Sequence, residues 1–327
     1  MKLNVSASPH IRAPQSTRRI MGDVLLALLP AVAVGIYRFG YKALIVLALC
    51  AATAVLTEWL LHKLMKRDMT VGDLSALVTG VLLGMNLPAN APWWMCVVGS
   101  VFAIGVVKVP FGGIGGNIVN PALAARAFLL ASFPVAMTAW AAPVNSVFAA
   151  VADTATGATP LVQLAQGQAG ANPVQVLMTL LMGDRGGCIG EVSVIALLIG
   201  YGYLLARGVV GWRIPVVYIA TVFAGAVMAG AFGQTAYGPL WSGVLQAASG
   251  GLVLGAVFMA TDYTTSPVTP WGQIIYAAGC GVLTVVIRFL GSYPEGVSYS
   301  ILIMNLCVPL IERFLRVRVY GEVKARA

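Results

Sequence analysis

Apolar runs of about 17 to 20 residues, separated by short polar links, recur along most of the chain. Runs of that length match a bilayer's hydrocarbon thickness of roughly 30 Å, whereas a surface helix of a soluble protein shows a polar face on every turn. The pattern predicts about ten membrane-spanning helices, over 21–37, 43–61, 74–87, 93–109, 121–133, 193–205, 214–230, 241–260, 272–290 and 297–311. Several lie near the lower length limit and two follow Gly- and Pro-rich stretches, which predicts broken or half-spanning helices. The expected fold class is an all-α integral membrane protein.

Composition removes the alternative of a soluble domain. The chain is 59% apolar and only 9% charged, against about a quarter charged in ordinary soluble proteins. Its net charge of +9 would elsewhere raise the question of a nucleic-acid partner. Here the basic residues gather in four segments: Lys2, Arg12, Arg18 and Arg19; Lys63, Lys66 and Arg67; Arg207 to Arg213; and the tail with Arg313, Arg316, Arg318, Lys324 and Arg326. These segments fall on one side of the predicted spans, and the positive-inside rule makes that side, with both termini, cytoplasmic. The first span has no convincing cleavage site and reads as a retained helix. The cysteines at 50, 96, 188, 280 and 307 form no CxxC pair, which argues against a disulfide framework or an iron–sulfur site held by this chain alone.

The longest interruption, 139–175, is rich in Ala, Thr, Gly and Gln and has Asp153 as its charge. It divides the chain into a cytoplasmic arm (1–20), a first repeat of about five helices (21–138), an outer loop (139–175), a second such repeat (176–311) and a cytoplasmic tail (312–327). Gly80, Gly84 and Pro88 followed by Trp93 echo Gly251, Gly255 and Met259 followed by Trp271. Asn120, Pro121 and Arg126 have loose counterparts in Asn305, Pro309 and Arg313. An odd number of spans per half requires the halves to be inserted in opposite orientations, the plan of many transporter folds.

Within the outer loop, Asp153, Thr156, Gly157, Ala158, Thr159 and Pro160 place a threonine hydroxyl among small residues, and the proline holds Thr159 extended. A hydroxyl so presented is open to a modifying enzyme, although a solvated loop has the same look. The pattern Asp-x-x-Thr-Gly-Ala-Thr resembles the flavinylation motif of the NqrB/RnfD family. That family pairs RnfD, from the Rnf electron-transport complex, with NqrB, from the sodium-pumping NADH:quinone oxidoreductase. The resemblance extends to Ser8, Pro9 and His10 and to the segment from Gly112 through Asn117 to Asn120, Pro121 and Arg126. The short basic arm fits the RnfD branch better.

The resemblance implies FMN joined through a phosphoester to Thr159, with Asp153, Thr156, Gly157 and Ala158 as the rest of the motif and a flavin transferase to install it. It also implies a non-covalent riboflavin in the membrane, and the partners RnfA, RnfB, RnfC, RnfE and RnfG, the last a periplasmic FMN carrier. The loop 139–175 would then be periplasmic and the membrane the bacterial inner one. Asp153 is expected to serve the transferase and not electron transfer.

The glycines from Gly112 to Gly116 lack the lysine of a phosphate-binding loop and follow no soluble strand. They are expected to turn the backbone and pack closely before a half-helix at Pro121, with Asn117 and Asn120 bonding freed carbonyls or a ligand. Asp23, Glu58, Lys108, Arg126, Asp184, Arg185, Glu191, Asp262 and Arg288 lie in or beside spans, where each must pair, snorkel or line a wet cavity. Asp184, Arg185 and Cys188 are expected to form the buried cluster, a candidate neighbour of the riboflavin. No residue stands out as catalytic or as a metal ligand.

The reading is a membrane subunit of a redox-driven ion pump of the ferredoxin:NAD type, passing electrons while Na⁺ or H⁺ is moved, active only within its complex. A secondary transporter or channel, or a scaffold for other subunits, would share the fold. The Thr159 motif separates the first from the others.

Overall fold

The computed structural model describes residues 15–147, 161, 172–233, 237–291 and 296–315. Among them the regular structure is helical, with one isolated β-bridge between Pro88 and Cys188. The motif from Asp153 to Thr159 lies outside the described residues.

Helix α1, Thr17–Leu64, has 48 residues, about 72 Å at 1.5 Å per residue and more than twice what a bilayer needs. Gly40 breaks it with φ 67° and ψ −161°, outside the helical region. The expected separate spans 21–37 and 43–61 are therefore one helical stretch with a single-residue break in place of a loop. Ile20, Met21 and Val24, at its start, line the same cleft as Lys108, and Lys108 pairs with Glu58 near its other end. Both ends of α1 thus return to one end of the molecule.

Helices α2 (Ser75–Met85), α3 (Trp93–Phe102, prolonged by a π-helical segment Ala103–Lys108) and α4 (Pro121–Ser132) follow. After the loop come α5 (Pro173–Met182), α6 (Val194–Ala206), α7 (Arg213–Ala231), α8 (Pro239–Ala248), α9 (Leu252–Leu254 with its π-helical extension Gly255–Met259), α10 (Pro270–Leu290) and α11 (Val297–Phe314). By length and composition α1, α7, α10 and α11 can cross a membrane. The predicted span 241–260 is instead the pair α8 and α9, bent by 61°, which can serve as one further crossing. The chain is a multi-pass membrane protein.

The two halves of α1 organise the rest. A Cβ on Gly80 would lie 2.7 Å from the Cys50 carbonyl oxygen, and one on Gly200 would lie 2.1 Å from that of Ala27. Only glycine lets α2 and α6 come this close to α1, the small-residue packing that replaces hydrophobic driving force in lipid. Hydroxyls supply the complementary polar contacts: Tyr218 of α7 meets Thr284 of α10 at 2.8 Å and Ser300 of α11 at 2.9 Å, all three side chains being buried.

Two short helices start alike. α2 leaves from Leu74 at φ 65°, ψ 5°, and α9 leaves from Gly251 at φ 65°, ψ 10°. A preceding short helix, Val71–Asp73 in one case and α8 in the other, turns sharply at that left-handed residue. Glycine adopts this conformation freely, whereas leucine is strained there. These starts equate Leu74 with Gly251, a different register from the sequence echo that equated Gly80 with Gly251.

Candidate functional site

The start of α9 and the end that follows it lie in different surroundings. At Gly250 and Gly251 the neighbours are Leu161, Arg288 and Glu191, whereas Val257, Phe258, Thr261 and Asp262 line a cleft. The span between, Leu252–Met259, covers about 12 Å at 1.5 Å per residue.

The cleft is walled by the beginnings of α1, α2 and α4, the glycine loop and the residues after α9. Its lining is mostly apolar with a few placed polar groups, as in small-molecule pockets. Val78, Leu82, Ile114, Val257 and Phe258 are its apolar walls, and Ser75, Lys108, Asn117, Asn120 and Asp262 are among its polar groups.

Most of these polar groups have a structural reason for their position. Asn120 caps α4, its Oδ1 accepting from the N–H groups of Ala122 (3.0 Å) and Leu123 (3.2 Å), while its Nδ2 donates to the Met259 carbonyl at 3.3 Å. Asn305, with its amide oriented to satisfy both ends, accepts from the Asn120 N–H at 3.1 Å and donates to the Thr265 carbonyl at 3.1 Å. The expectation that Asn120 bonds a freed carbonyl therefore holds, and the sequence counterparts Asn120 and Asn305 meet.

Asn117 Oδ1 is buried without a hydrogen-bond partner. Of the glycines before it, Gly112, Gly113 and Gly115, with φ of 110°, 83° and 95°, have nothing near a Cβ, whereas a Cβ on Gly116 would lie 2.2 Å from the Phe111 carbonyl oxygen. The first three turn the chain and do not make the expected close approach, which Gly116 does make. Asp262 Oδ2 accepts from the hydroxyls of Thr264 (3.1 Å) and Thr265 (3.4 Å). The loss of water around it pushes its carboxyl above the usual range, and those hydrogen bonds, with the Lys108 charge, oppose the rise.

Lys108 and Glu58 form an ion pair of 2.9 Å with side chains only 2% and 1% exposed. Lys108 Nζ also donates to Ser75 Oγ at 2.6 Å. Arg126 and Glu191 form a second buried pair at 3.6 Å, and Arg126 also donates to Ser298 Oγ at 2.7 Å and Cys188 Sγ at 3.5 Å. The thiol of Cys188 donates to the Asn86 carbonyl at 3.1 Å.

The expected buried cluster of Asp184, Arg185 and Cys188 is not what forms. Asp184 pairs with Arg38 at 3.2 Å and is 53% exposed, because Gly183 in the left-handed region ends α5 and turns the chain outward. Arg185 donates to the Glu191 carbonyl at 2.6 Å, and Cys188 alone enters the core. The remaining intramembrane charges are partnered as expected. Asp23 holds Arg207 at 3.2 Å, and Arg288 donates to the carbonyls of Gln246 (2.7 Å) and Ser249 (3.0 Å).

A family model described as the NQR2, RnfD, RnfE family matches residues 4–321. The chain belongs to this family. The D subunit of the Na(+)-translocating ferredoxin:NAD(+) oxidoreductase complex of Acetobacterium woodii is similar to it, 52% identical over 100% of this chain and 98% of that protein. The D subunit of the proton-translocating ferredoxin:NAD(+) oxidoreductase complex of Clostridium ljungdahlii is 42% identical over 97% and 96%. The D subunit of the ion-translocating oxidoreductase complex of Stutzerimonas stutzeri is 41% identical over 94% and 93%.

The sequence pattern does not reveal the cleft. Glu58 and Lys108 were legible as charges needing partners, but nothing in their spacing joined them to each other, to Ser75 or to a cavity. Of the motif's surroundings, the described residue nearest Thr159 in sequence is Leu161, which is buried against Gly250 beside Arg288.

Proposed function

We propose that the chain is the RnfD-type membrane subunit of an ion-translocating ferredoxin:NAD oxidoreductase complex. In this reading it passes electrons between FMN esterified to Thr159 and a non-covalent flavin, riboflavin in kind, in the cleft. Electron flow is coupled in the whole complex to Na⁺ or H⁺ movement, with RnfA, RnfB, RnfC, RnfE and RnfG as partners. The observation that carries the reading is full-length similarity to the D subunits of such complexes, 52% identical in the first case, together with an Asp153 to Thr159 segment that keeps every defined position of the motif.

The chemistry of the residues is consistent with it. A bound flavin would supply reversible two-electron chemistry, and the protein's part is to seat, orient and tune it. Phe258, Val78 and Leu82 offer apolar walls, Asn117 offers an amide oxygen with no other partner, and Lys108 supplies positive charge at the cleft wall. A phosphoester at Thr159 would hold the other flavin by its tail, in reach of a transferase that reads Asp153, Thr156, Gly157 and Ala158. Helix α9, about 12 Å long, runs from the neighbourhood of Leu161 to the cleft.

The same proposal includes the finer architecture: about ten crossings in two inverted repeats, termini in the cytoplasm and residues 139–175 in the periplasm. The matched left-handed starts at Leu74 and Gly251 and the meeting of Asn120 with Asn305 support the repeats, since equivalent residues touch where they straddle a twofold axis. Arg19, Arg207 and the Lys63 to Arg67 turn gather at the cleft end, which supports that end as the inner one.

The test is a denaturing gel under ultraviolet light on protein made with its flavin transferase, with peptide mass spectrometry across residues 152–161. A fluorescent band that Thr159→Ala abolishes, and an FMN-phosphate mass on that threonine, are expected. No fluorescence in fully matured protein would leave the secondary-transporter reading in its place.

A further inference from the structure

Leu161, the described residue between 147 and 172, is only 4% exposed. Its side chain fills the place where Gly250 lacks one: a Cβ on Gly250 would lie 2.2 Å from Leu161 Cδ1 and 2.8 Å from Arg288 Nη2. Gly250 has φ 66°, a conformation that glycine adopts without strain, so the residue suits both the turn and the leucine. Arg288 holds that turn in shape. Its guanidinium donates to the Gln246 carbonyl (2.7 Å) and side-chain oxygen (3.1 Å), and to the carbonyls of Ser249 (3.0 Å) and Gly250 (3.4 Å). The return from the outer loop meets the same region, since Val176 and Leu180 of α5 pack with Leu245 of α8.

A buried leucine in a membrane protein needs no function to explain it. What sets this one apart is its place in the chain. Thr159 is two residues earlier, and two residues of extended chain reach at most about 7 Å. Covalent geometry alone therefore ties a group esterified to Thr159 to the neighbourhood of the Leu161 socket, at the start of α9. The other end of α9, roughly 12 Å on at 1.5 Å per residue, lines the cleft.

We propose that Leu161, seated against Gly250 on the turn that Arg288 pins, is the anchor that fixes the Thr159 flavin relative to the cleft. It is a positioning residue: no bond at Leu161, Gly250 or Arg288 forms or breaks. Each electron lost by one flavin is gained by the other, and the part of the socket is to keep their separation short and constant, because transfer slows steeply with distance. The inference rests on the flavin reading of Thr159 and of the cleft. Leu161 and Gly250 lie outside the motif from Asp153 to Thr159, so their variants are expected to load flavin normally.

The test uses the intact complex made with its flavin transferase. It reads flavin load by in-gel fluorescence, electron exchange between the covalent flavin and the other flavins by stopped flow, and hydrogen exchange across residues 157–165. Hydrogen exchange is also read on protein made without the transferase, so that the contact is scored apart from the flavin. Leu161→Ala is expected to keep the load, to raise hydrogen exchange about tenfold as the burial of a leucine is lost, and to slow electron exchange by about the same factor as the seated fraction falls. Leu161→Met, close in volume, should behave as wild type. Gly250→Ala should slow electron exchange more in the wild-type background than in Leu161→Ala, where the missing atoms leave room for the new Cβ. Normal load with unchanged electron exchange in Leu161→Ala would overturn the anchor even if hydrogen exchange rises, since the contact would then be structural only. An equal effect of Gly250→Ala in both backgrounds would overturn it as well. A wild-type complex with no flavin on Thr159 would remove the flavin reading and the anchor with it, whereas the other two outcomes remove the anchor alone.

Discussion

The two buried ion pairs are chemically alike and differently connected. Arg126 and Glu191 sit at 3.6 Å, and Arg126 spends its other hydrogen bonds on Ser298 and Cys188, which ties α4 to the start of α11 and to the segment before α6. Glu58 and Lys108 sit at 2.9 Å and continue into hydroxyls and an imidazole that reach the cleft in one direction and the surface turn in the other. Charge burial alone therefore says little about role. The first pair locks three elements together, whereas the second stands at the wall of the cleft.

Breaking the lock is expected to have the largest effect. Arg126→Leu takes a buried cation from Glu191 and removes the bonds to Ser298 and Cys188, and losing one partner of such a pair costs about 3–5 kcal/mol. Thermal unfolding in detergent should show it, and Arg126→Leu with Glu191→Leu should recover much of the loss.

The matching double replacement at the other pair sharpens the contrast. Glu58→Gln with Lys108→Met removes both charges, so most of the roughly 3–5 kcal/mol that either single change costs should return. Recovery as complete as in the Arg126 and Glu191 double replacement would make the two pairs equivalent and erase the distinction.

A smaller effect separates the two half-helix starts. Leu74→Gly should raise stability by about 1 kcal/mol, because glycine carries no penalty at φ 65°. Gly251→Ala should cost about 1–2 kcal/mol from the backbone and more from contact, since its Cβ would lie 2.5 Å from Glu191 Oε1. Unfolding midpoints of the two variants should move in opposite directions.

The smallest effect is a pH dependence at the cleft. The Asp262 carboxyl is raised in the folded protein by loss of water, so the fold holds the proton more tightly than the unfolded chain does. Its stabilisation is complete below the unfolded value of about 3.9 and is lost as pH rises through the folded value. Asp262→Asn should flatten that limb of a stability-versus-pH curve, and an unchanged limb would mean that another carboxyl sets it.

Much of this architecture is legible in the sequence. Helices α6, α7, α10 and α11 lie within a few residues of their predicted spans, because an apolar run in lipid must satisfy its own backbone and only a helix does so. The rule that intramembrane charges find partners held for Asp23, Glu58, Lys108 and Arg126 for the same energetic reason. Two expectations failed where local geometry had the say. Gly40 breaks α1 at one residue where a five-residue link was expected, and Gly183 turns Asp184 out toward Arg38.

The sequence by itself determined a multi-pass helical membrane protein of this family, with a threonine motif that resembles a flavinylation motif, because hydropathy and short motifs are local and additive along the chain. Only the tertiary structure decided which charges meet, where α9 begins and ends, and that Lys108, Asn117 and Asp262 wall one cleft. Those facts depend on contacts between residues as far apart as Asn117 and Asp262. Side-chain pairing across helices follows from the angle and depth of packing, which small residues such as Gly80 and Gly200 set at single points and which no periodicity in the sequence records.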